Sequence, residues 1–119
     1  MTTLILGASE NAQRYSYKAA HRLVAAGFDV LMVGKQQGSL LGRPIHKELP
    51  YLHPKIDTVT LYLNPQQQEQ FHETILKLQP RRVIFNPGTE HFLFMKRLQE
   101  AGIEAISACT LVMLAVGDY

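Results

Sequence analysis

The apolar positions along this chain follow two alternating rhythms. Short apolar-rich runs occur at Leu4–Leu6, at FDVLMV from Phe28, at DTVTLYL from Asp57, at RVIF from Arg82 and at IEAIS from Ile103. Between them, apolar residues recur every three or four positions: Tyr17, Ala20, Leu23 and Val24, then Phe71, Ile75 and Leu78, then Phe94, Leu98 and Ala101. The runs predict strands and the spaced sets predict helices. Gly27 and Gly102 mark helix ends, Pro65 suits the first turn of a helix and Pro80 closes one. LVAAGFDVLMV and LQEAGIEAIS echo each other, which predicts one helix-to-strand joint used twice.

Strands this apolar, separated by helices, belong in a parallel sheet covered on both faces. The expected fold is therefore α/β: a Rossmann-like, doubly wound parallel sheet of about five strands in three α/β/α layers. The segment from Gly34 to Lys55 breaks the rhythm. With Gly38, Gly42, Pro44, Pro50 and Pro54 it reads mostly as loop, with Ile45 pairing briefly at a sheet edge and ELPYL forming one helical turn. The tail TLVMLAV suits either one more strand or a short helix.

Length and charge narrow the class. The 119 residues fit one domain spanning 1–119, and 46% hydrophobic residues suffice for a real core. A net charge of +2, with Arg81-Arg82 and Lys96-Arg97 as the only adjacent basic pairs, argues against nucleic acid. No apolar run approaches the ~18 residues of a membrane span. The chain enters a strand at once, without a basic-then-apolar leader, and its single cysteine, Cys109, allows no internal disulfide. A cytoplasmic setting is expected.

The candidate chemistry lies where ligands of such sheets sit, beyond the carboxyl ends of the strands. A dinucleotide fingerprint would want glycine at positions 7, 9 and 12, where this chain has Gly7, Ser9 and Ala12. The connection to the first helix is long and carries Ser9, Asn11, Arg14, Tyr15 and Ser16. Ser16 is a candidate helix cap or phosphate contact, and Arg14 offers a two-pronged contact to phosphate. A helix N-terminus adds unpaired amides and partial positive charge. An NAD site would place a carboxylate at the end of the second strand, about 20 residues past the glycines. This chain has Gly34-Lys35 there, and Asp29 starts the strand at the far end of the sheet. A lysine in that place suits a phosphate on the adenosine ribose, which leaves NADP and coenzyme A. The remaining strand ends supply Asn64 and Pro65, then Asn86, Pro87, Gly88 and Thr89, then Cys109 and Thr110.

These residues carry a resemblance. LGASENAQRYSYKAAHRLVAAGFDVLMVG, DTVTLYLNP, RRVIFNPGTE and AGIEAISACTLVML together resemble the small stand-alone CoA-binding domain proteins, themselves similar to the CoA-binding domain of the succinyl-CoA synthetase alpha subunit. The resemblance spans essentially the whole chain. It implies that Gly7, Ala8, Ser9, Arg14 and Ser16 hold the phosphates, that Gly34 and Lys35 face the adenosine end, and that Tyr62, Asn64 and Pro65 line the neighbouring strand end. Many of those relatives have Asn-Pro after the second strand, where this chain has Gly34-Lys35. Asn86 and Thr89, with Gly88 in the same turn, are candidates to orient a thioester carbonyl or the pantetheine amides.

Signals for turnover are sparse. The five histidines, His21, His46, His53, His72 and His91, show no metal-ligand spacing, so no metal is expected. Cys109 reads as a small buried residue before it reads as a nucleophile. Glu90 suits a helix cap better than a general base. The expected function is binding of coenzyme A or an acyl-CoA as a sensing or delivery module. The alternatives are an NADP-dependent oxidoreductase-like domain and an interaction module without a nucleotide. A homodimer through the TLVMLAV tail, or a partner enzyme, is the expected protein partner.

Overall fold

In the computed structural model, which describes residues 1–119, the first strand β1 (Thr2–Leu6) is buried along its whole length. Such a strand has neighbours on both edges and helices over both faces. It is followed by α1 (Tyr15–Ala25), β2 (Asp29–Val33), β3 (Gly38–Leu40), β4 (Arg43–His46) and β5 (Ile56–Leu61). Next come α2 (Pro65–Gln68), a 3-10 turn (Glu69–Phe71) and α3 (His72–Leu78). The chain ends with β6 (Arg82–Phe85), α4 (Phe92–Glu100), β7 (Glu104–Ser107) and α5 (Thr110–Val116). The strands form one sheet in the order β3-β4-β2-β1-β5-β6-β7. Every pairing is parallel except β3 with β4.

The Rossmann-like architecture is the expected one, but the sheet has seven strands rather than about five. Both extra strands come from the segment read as loop. A two-residue turn, Leu41-Gly42, joins β3 to β4, and both residues have positive φ (57° and 72°). Two such residues make a hairpin turn whose twist matches its strands. Leucine seldom accepts that conformation, so the turn does not announce itself as Asn-Gly would. Arg43 Nη1 donates to the Leu41 carbonyl at 2.8 Å and braces it. Ile45 does pair at the edge, opposite Met32. ELPYL forms bends and no helical turn, since a residue preceding proline is pushed away from helical backbone. The tail resolves as helix α5.

Alternate residues of the strands feed two cores. Leu4, Leu6, Val59, Leu61, Val83 and Phe85 meet Ile75 of α3 and Phe94 and Leu98 of α4. Ile5 and Met32 point the other way, onto Ala20 and Leu23 of α1, with Leu114 of α5 alongside. The two echoing joints close identically: the Phe28 amide reaches the Leu23 carbonyl at 3.0 Å, and the Ile103 amide the Leu98 carbonyl at 2.9 Å. Tyr119 seals the far end of the sheet, its ring 4.4 Å from the Arg82 guanidinium and 5.0 Å, edge-on, from Phe28. No helix is long and apolar enough to cross a membrane.

The chain runs outward from β1 through β2, then returns to β1's other side with β5. The strand order therefore reverses between β1 and β5, and their carboxyl ends open a crevice there. The backbones at this end are very close. A Cβ on Gly34 would lie 2.2 Å from the Ala8 carbonyl oxygen, and one on Gly7 would lie 3.0 Å from the Tyr62 carbonyl carbon. Gly34→Ala is therefore expected to cost about 3 kcal/mol or more, because backbone has to move. Gly27→Ala, with open space around it but φ of +88°, should cost only the left-handed penalty of about 1–2 kcal/mol. Urea denaturation of the two variants checks the order.

Candidate functional site

Backbone alone laces the strand ends together. The amides of Gly7 and Ala8 both donate to the Val33 carbonyl, at 2.9 and 3.0 Å. The Tyr62 amide donates to the Leu6 carbonyl, and the Gly34 amide to the His46 carbonyl, both at 2.8 Å. The first amides after β1 are thus spent inside the fold, and any anion here must find other donors.

Those donors are at the start of α1. Beyond Ala8 the loop is shaped by its own side chains: Ser9 Oγ accepts from the Asn11 amide at 3.0 Å and Asn11 Oδ1 from the Gln13 amide at 2.9 Å. The Arg14 amide closes onto the Asn11 carbonyl at 3.0 Å. Arg14 itself occupies the N-cap position, and no side chain caps the helix. The first amide bonded within the helix turn is that of Lys18, to the Arg14 carbonyl. The amides of Tyr15, Ser16 and Tyr17 therefore have no acceptor within the protein. Ser16 is not the cap: it is the second helical residue, 3% exposed.

Tyr15 and Ser16, with Arg14 before them, line a cavity of about 710 Å³ at the reversal point, and Tyr17 follows them in the same helix turn. Of the residues singled out from sequence, Gly7, Ala8, Ser9, Arg14, Ser16, Lys35 and Tyr62 all line it. Gly34 lines an adjoining hollow of about 330 Å³, which shares Gly7 and Lys35 with the larger one and adds Lys47 and Phe71. Asn64, Pro65, Asn86 and Gly88 do not line the main cavity. Asn64 caps α2, accepting from the Gln67 amide at 2.8 Å, with Pro65 in the first helical position. Asn86 is 3% exposed and fully engaged. Its Nδ2 donates to Thr60 Oγ1 at 2.7 Å and to the Leu61 carbonyl at 2.9 Å, while Oδ1 accepts from the Thr110 amide at 2.9 Å. Gly88 lies in a turn where its amide donates to Glu90 Oε1 at 2.9 Å. Glu90 closes that turn, and the cap of α4 is His91.

Sequence reasoning left out Glu10, Gln13, Gln36 and Gln67 of the lining. Glu10, Gln13 and Gln36 are polar loop residues and Gln67 lies on α2; they share no recognisable spacing, and only the fold brings them together. Pro87 and Thr89 line the opposite wall with Leu63.

That wall is held from behind by a buried amide. Gln68 is completely buried, and its Nε2 donates to the carbonyls of Thr89 at 2.8 Å and Leu63 at 3.1 Å. Its oxygen faces His72 Nε2 at 3.1 Å, so that nitrogen carries the proton. The His72 ring stacks on Phe94 at 3.6 Å and meets His91 edge-on at 4.7 Å. Burial first, and then the neighbouring His91, push the His72 pKa down to about 4. Tyr62 contributes to the cavity, but its hydroxyl is buried without a hydrogen-bond partner, and burial pushes its pKa up to about 12.

The lining holds two cations, Arg14 and Lys35, one carboxylate, Glu10, and no histidine or cysteine. Cys109 lies elsewhere, half-buried, at the start of α5. No group of three or more His, Cys, Asp or Glu side chains is placed to hold a metal ion. The arrangement is suited to gripping an extended anion.

Comparison with known proteins agrees with that chemistry. A family model described as CoA binding domain matches residues 1–115. A crystal structure of an uncharacterized protein is 48% identical, with a TM-score of 0.94, and the match covers 99% of this chain and 97% of that one. A Thermus thermophilus protein is 26% identical with a TM-score of 0.88, covering 99% of this chain and 90% of its own. The fold also recurs in a dinucleotide-forming acetyl-coenzyme A synthetase from Ca. Korarchaeum cryptofilum. That match has 13% identity and a TM-score of 0.74, and covers 89% of this chain and 25% of the larger one. Among curated proteins, none matches this chain.

The buried histidine gives the wall a pH signature. An imidazole held near 4 when folded, against 6.5 ordinarily, takes its proton more readily after unfolding. Its contribution is intact above about pH 6.5 and is lost progressively as the pH falls toward 4. Over that range the wild-type melting temperature should fall more steeply than that of His72→Gln, which keeps a donor without the titration. Parallel curves would show that His72 does not titrate in this way.

Proposed function

We propose a function from two premises: the chain belongs to the CoA binding domain family, and the N-terminus of α1 opens uncapped onto a cavity bearing Arg14 and Lys35. The protein binds coenzyme A or an acyl-CoA. The diphosphate rests against the amides of Tyr15, Ser16 and Tyr17, where hydrogen bonds and the helix dipole both favour negative charge. The Arg14 guanidinium grips it from the side, with the hydroxyls of Ser9 and Ser16 as further donors. Lys35, after β2, takes the phosphate on the adenosine ribose. The observation that carries this reading is the uncapped, unpartnered start of α1, with Tyr15 and Ser16 in the lining beside Arg14 and Lys35.

Binding, sensing or delivery is the function, without turnover by this chain alone. Its lining offers a gripping surface and no nucleophile-base pair. Where thioester chemistry follows, a partner enzyme supplies it.

A thermal-shift panel of CoA, acetyl-CoA, dephospho-CoA, NADPH, NADH and ATP tests the reading. CoA at a hundredfold excess over its Kd should add about 2.7 kcal/mol of stability. Stabilisation by NADPH and not by CoA favours an oxidoreductase-like domain, and stabilisation by none favours an interaction module. Arg14→Ala is expected to weaken CoA binding by about 1.5–3 kcal/mol with little change in stability. Lys35→Ala should weaken CoA more than dephospho-CoA, and equal losses would remove Lys35 from the ribose phosphate.

A further inference from the structure

The tip of the β1–α1 loop is fastened to the rest of the protein at one point. The side-chain bonds of Ser9 and Asn11 stay within the loop. Only Glu10 reaches out, its Oε2 accepting from the Ser39 amide of β3 at 3.0 Å. β3 is the outermost strand, so it has no further strand to pair with on its open edge. The approach is close: a Cβ on Gly38 would lie 2.6 Å from the Glu10 carboxyl carbon and 2.8 Å from both oxygens, so a side chain there would displace the carboxylate. Glu10 also lines the cavity. A carboxylate beside an anion's seat works against binding unless it does something else there, and its bond to β3 supplies that role.

We infer that Glu10 is a positioning residue, tying the phosphate loop to the β3–β4 hairpin so that the loop stands preformed beside the N-terminus of α1. The hairpin, attached to the sheet through only two residue pairs, Met32 with Ile45 and Val33 with His46, thereby becomes part of the binding site without touching the ligand. Occupancy of the cavity holds the loop, the loop holds Glu10, and Glu10 holds Ser39. Ligand binding and the hairpin's fastening then reinforce each other, since whatever steadies one end of the link steadies the other. This inference rests on the coenzyme A reading of the cavity.

The test combines CoA titration with hydrogen exchange at the Ser39 amide, in wild type, Glu10→Ala, Glu10→Gln and Gly38→Ala. Glu10 and Ser39 are exposed, so Glu10→Ala should fold, and its melting temperature verifies that. In the ligand-free protein, Glu10→Ala and Gly38→Ala should speed Ser39 exchange, and Glu10→Gln, whose amide oxygen still accepts, should not. Both disruptive variants should bind CoA about five- to tenfold more weakly, with Glu10→Gln close to wild type. In wild type, CoA should slow Ser39 exchange further. Unchanged CoA affinity in Glu10→Ala overturns the inference, as does an equal loss in Glu10→Gln, which would assign the effect to charge. If wild type binds no CoA, the inference falls with the reading it rests on, and the ligand-free exchange rates still tell whether the fastening exists.

Discussion

Everything at the working end of this molecule depends on one carbonyl. The Val33 oxygen, at the tip of β2, accepts the amides of both Gly7 and Ala8 as the chain leaves β1. This pair of hydrogen bonds to one acceptor pins the turn against the neighbouring strand. It is possible because Gly34 lets the Ala8 carbonyl come within a distance that a side chain would forbid. A pinned turn cannot use its own first amides on a ligand. The chain instead travels on to α1, and the donors left over are those of an uncapped helix start. The proposed site therefore follows from a packing constraint: in that reading, close strand ends displace the anion seat one loop further along the sequence.

The opposite wall obeys the same economy of polar groups. Buried amides and hydroxyls must be paired, and Gln68, His72, Asn86, Thr60 and Thr110 are paired with one another or with backbone. Their bonds join β5, β6, α2, α3 and the start of α5 into one rigid bank. The exception is the Tyr62 hydroxyl, buried beside Thr60 and Thr110 without a well-aligned bond. One wall is thus stiff, built from a hydrogen-bonded interior. The other is a loop shaped by Ser9 and Asn11 and tied down at Glu10.

Much of the fold was legible because buried parallel strands must be apolar and helix ends favour glycine. Both echoing joints, at Gly27 and Gly102, close as the repeated pattern predicts. The β3–β4 hairpin escaped because Leu41 adopts a backbone conformation its side chain disfavours, and no local pattern marks that. The cavity's near side was legible as a strand end followed by a helix. The far side was legible only in part: Pro87 and Thr89 do line it, but a polar residue at a strand end looks the same whether it turns outward to a ligand or inward to a neighbour. Asn86 turns inward, and burial is a property of the assembled fold. Glu10 and Gln67 were invisible for the converse reason: nothing in loop sequence tells which polar side chains a distant hairpin or helix will bring to the same hollow.

The central claim is that an anion sits on the amides of Tyr15, Ser16 and Tyr17, while those of Gly7 and Ala8 stay committed to Val33. Amide-resolved NMR of the labelled protein titrated with coenzyme A addresses it most directly. The account predicts large, saturable shifts for the three helix-start amides, with the Gly7 and Ala8 amides exchanging slowly both without and with coenzyme A. Shifts confined to other parts of the surface, or a spectrum unmoved by excess coenzyme A, would contradict it.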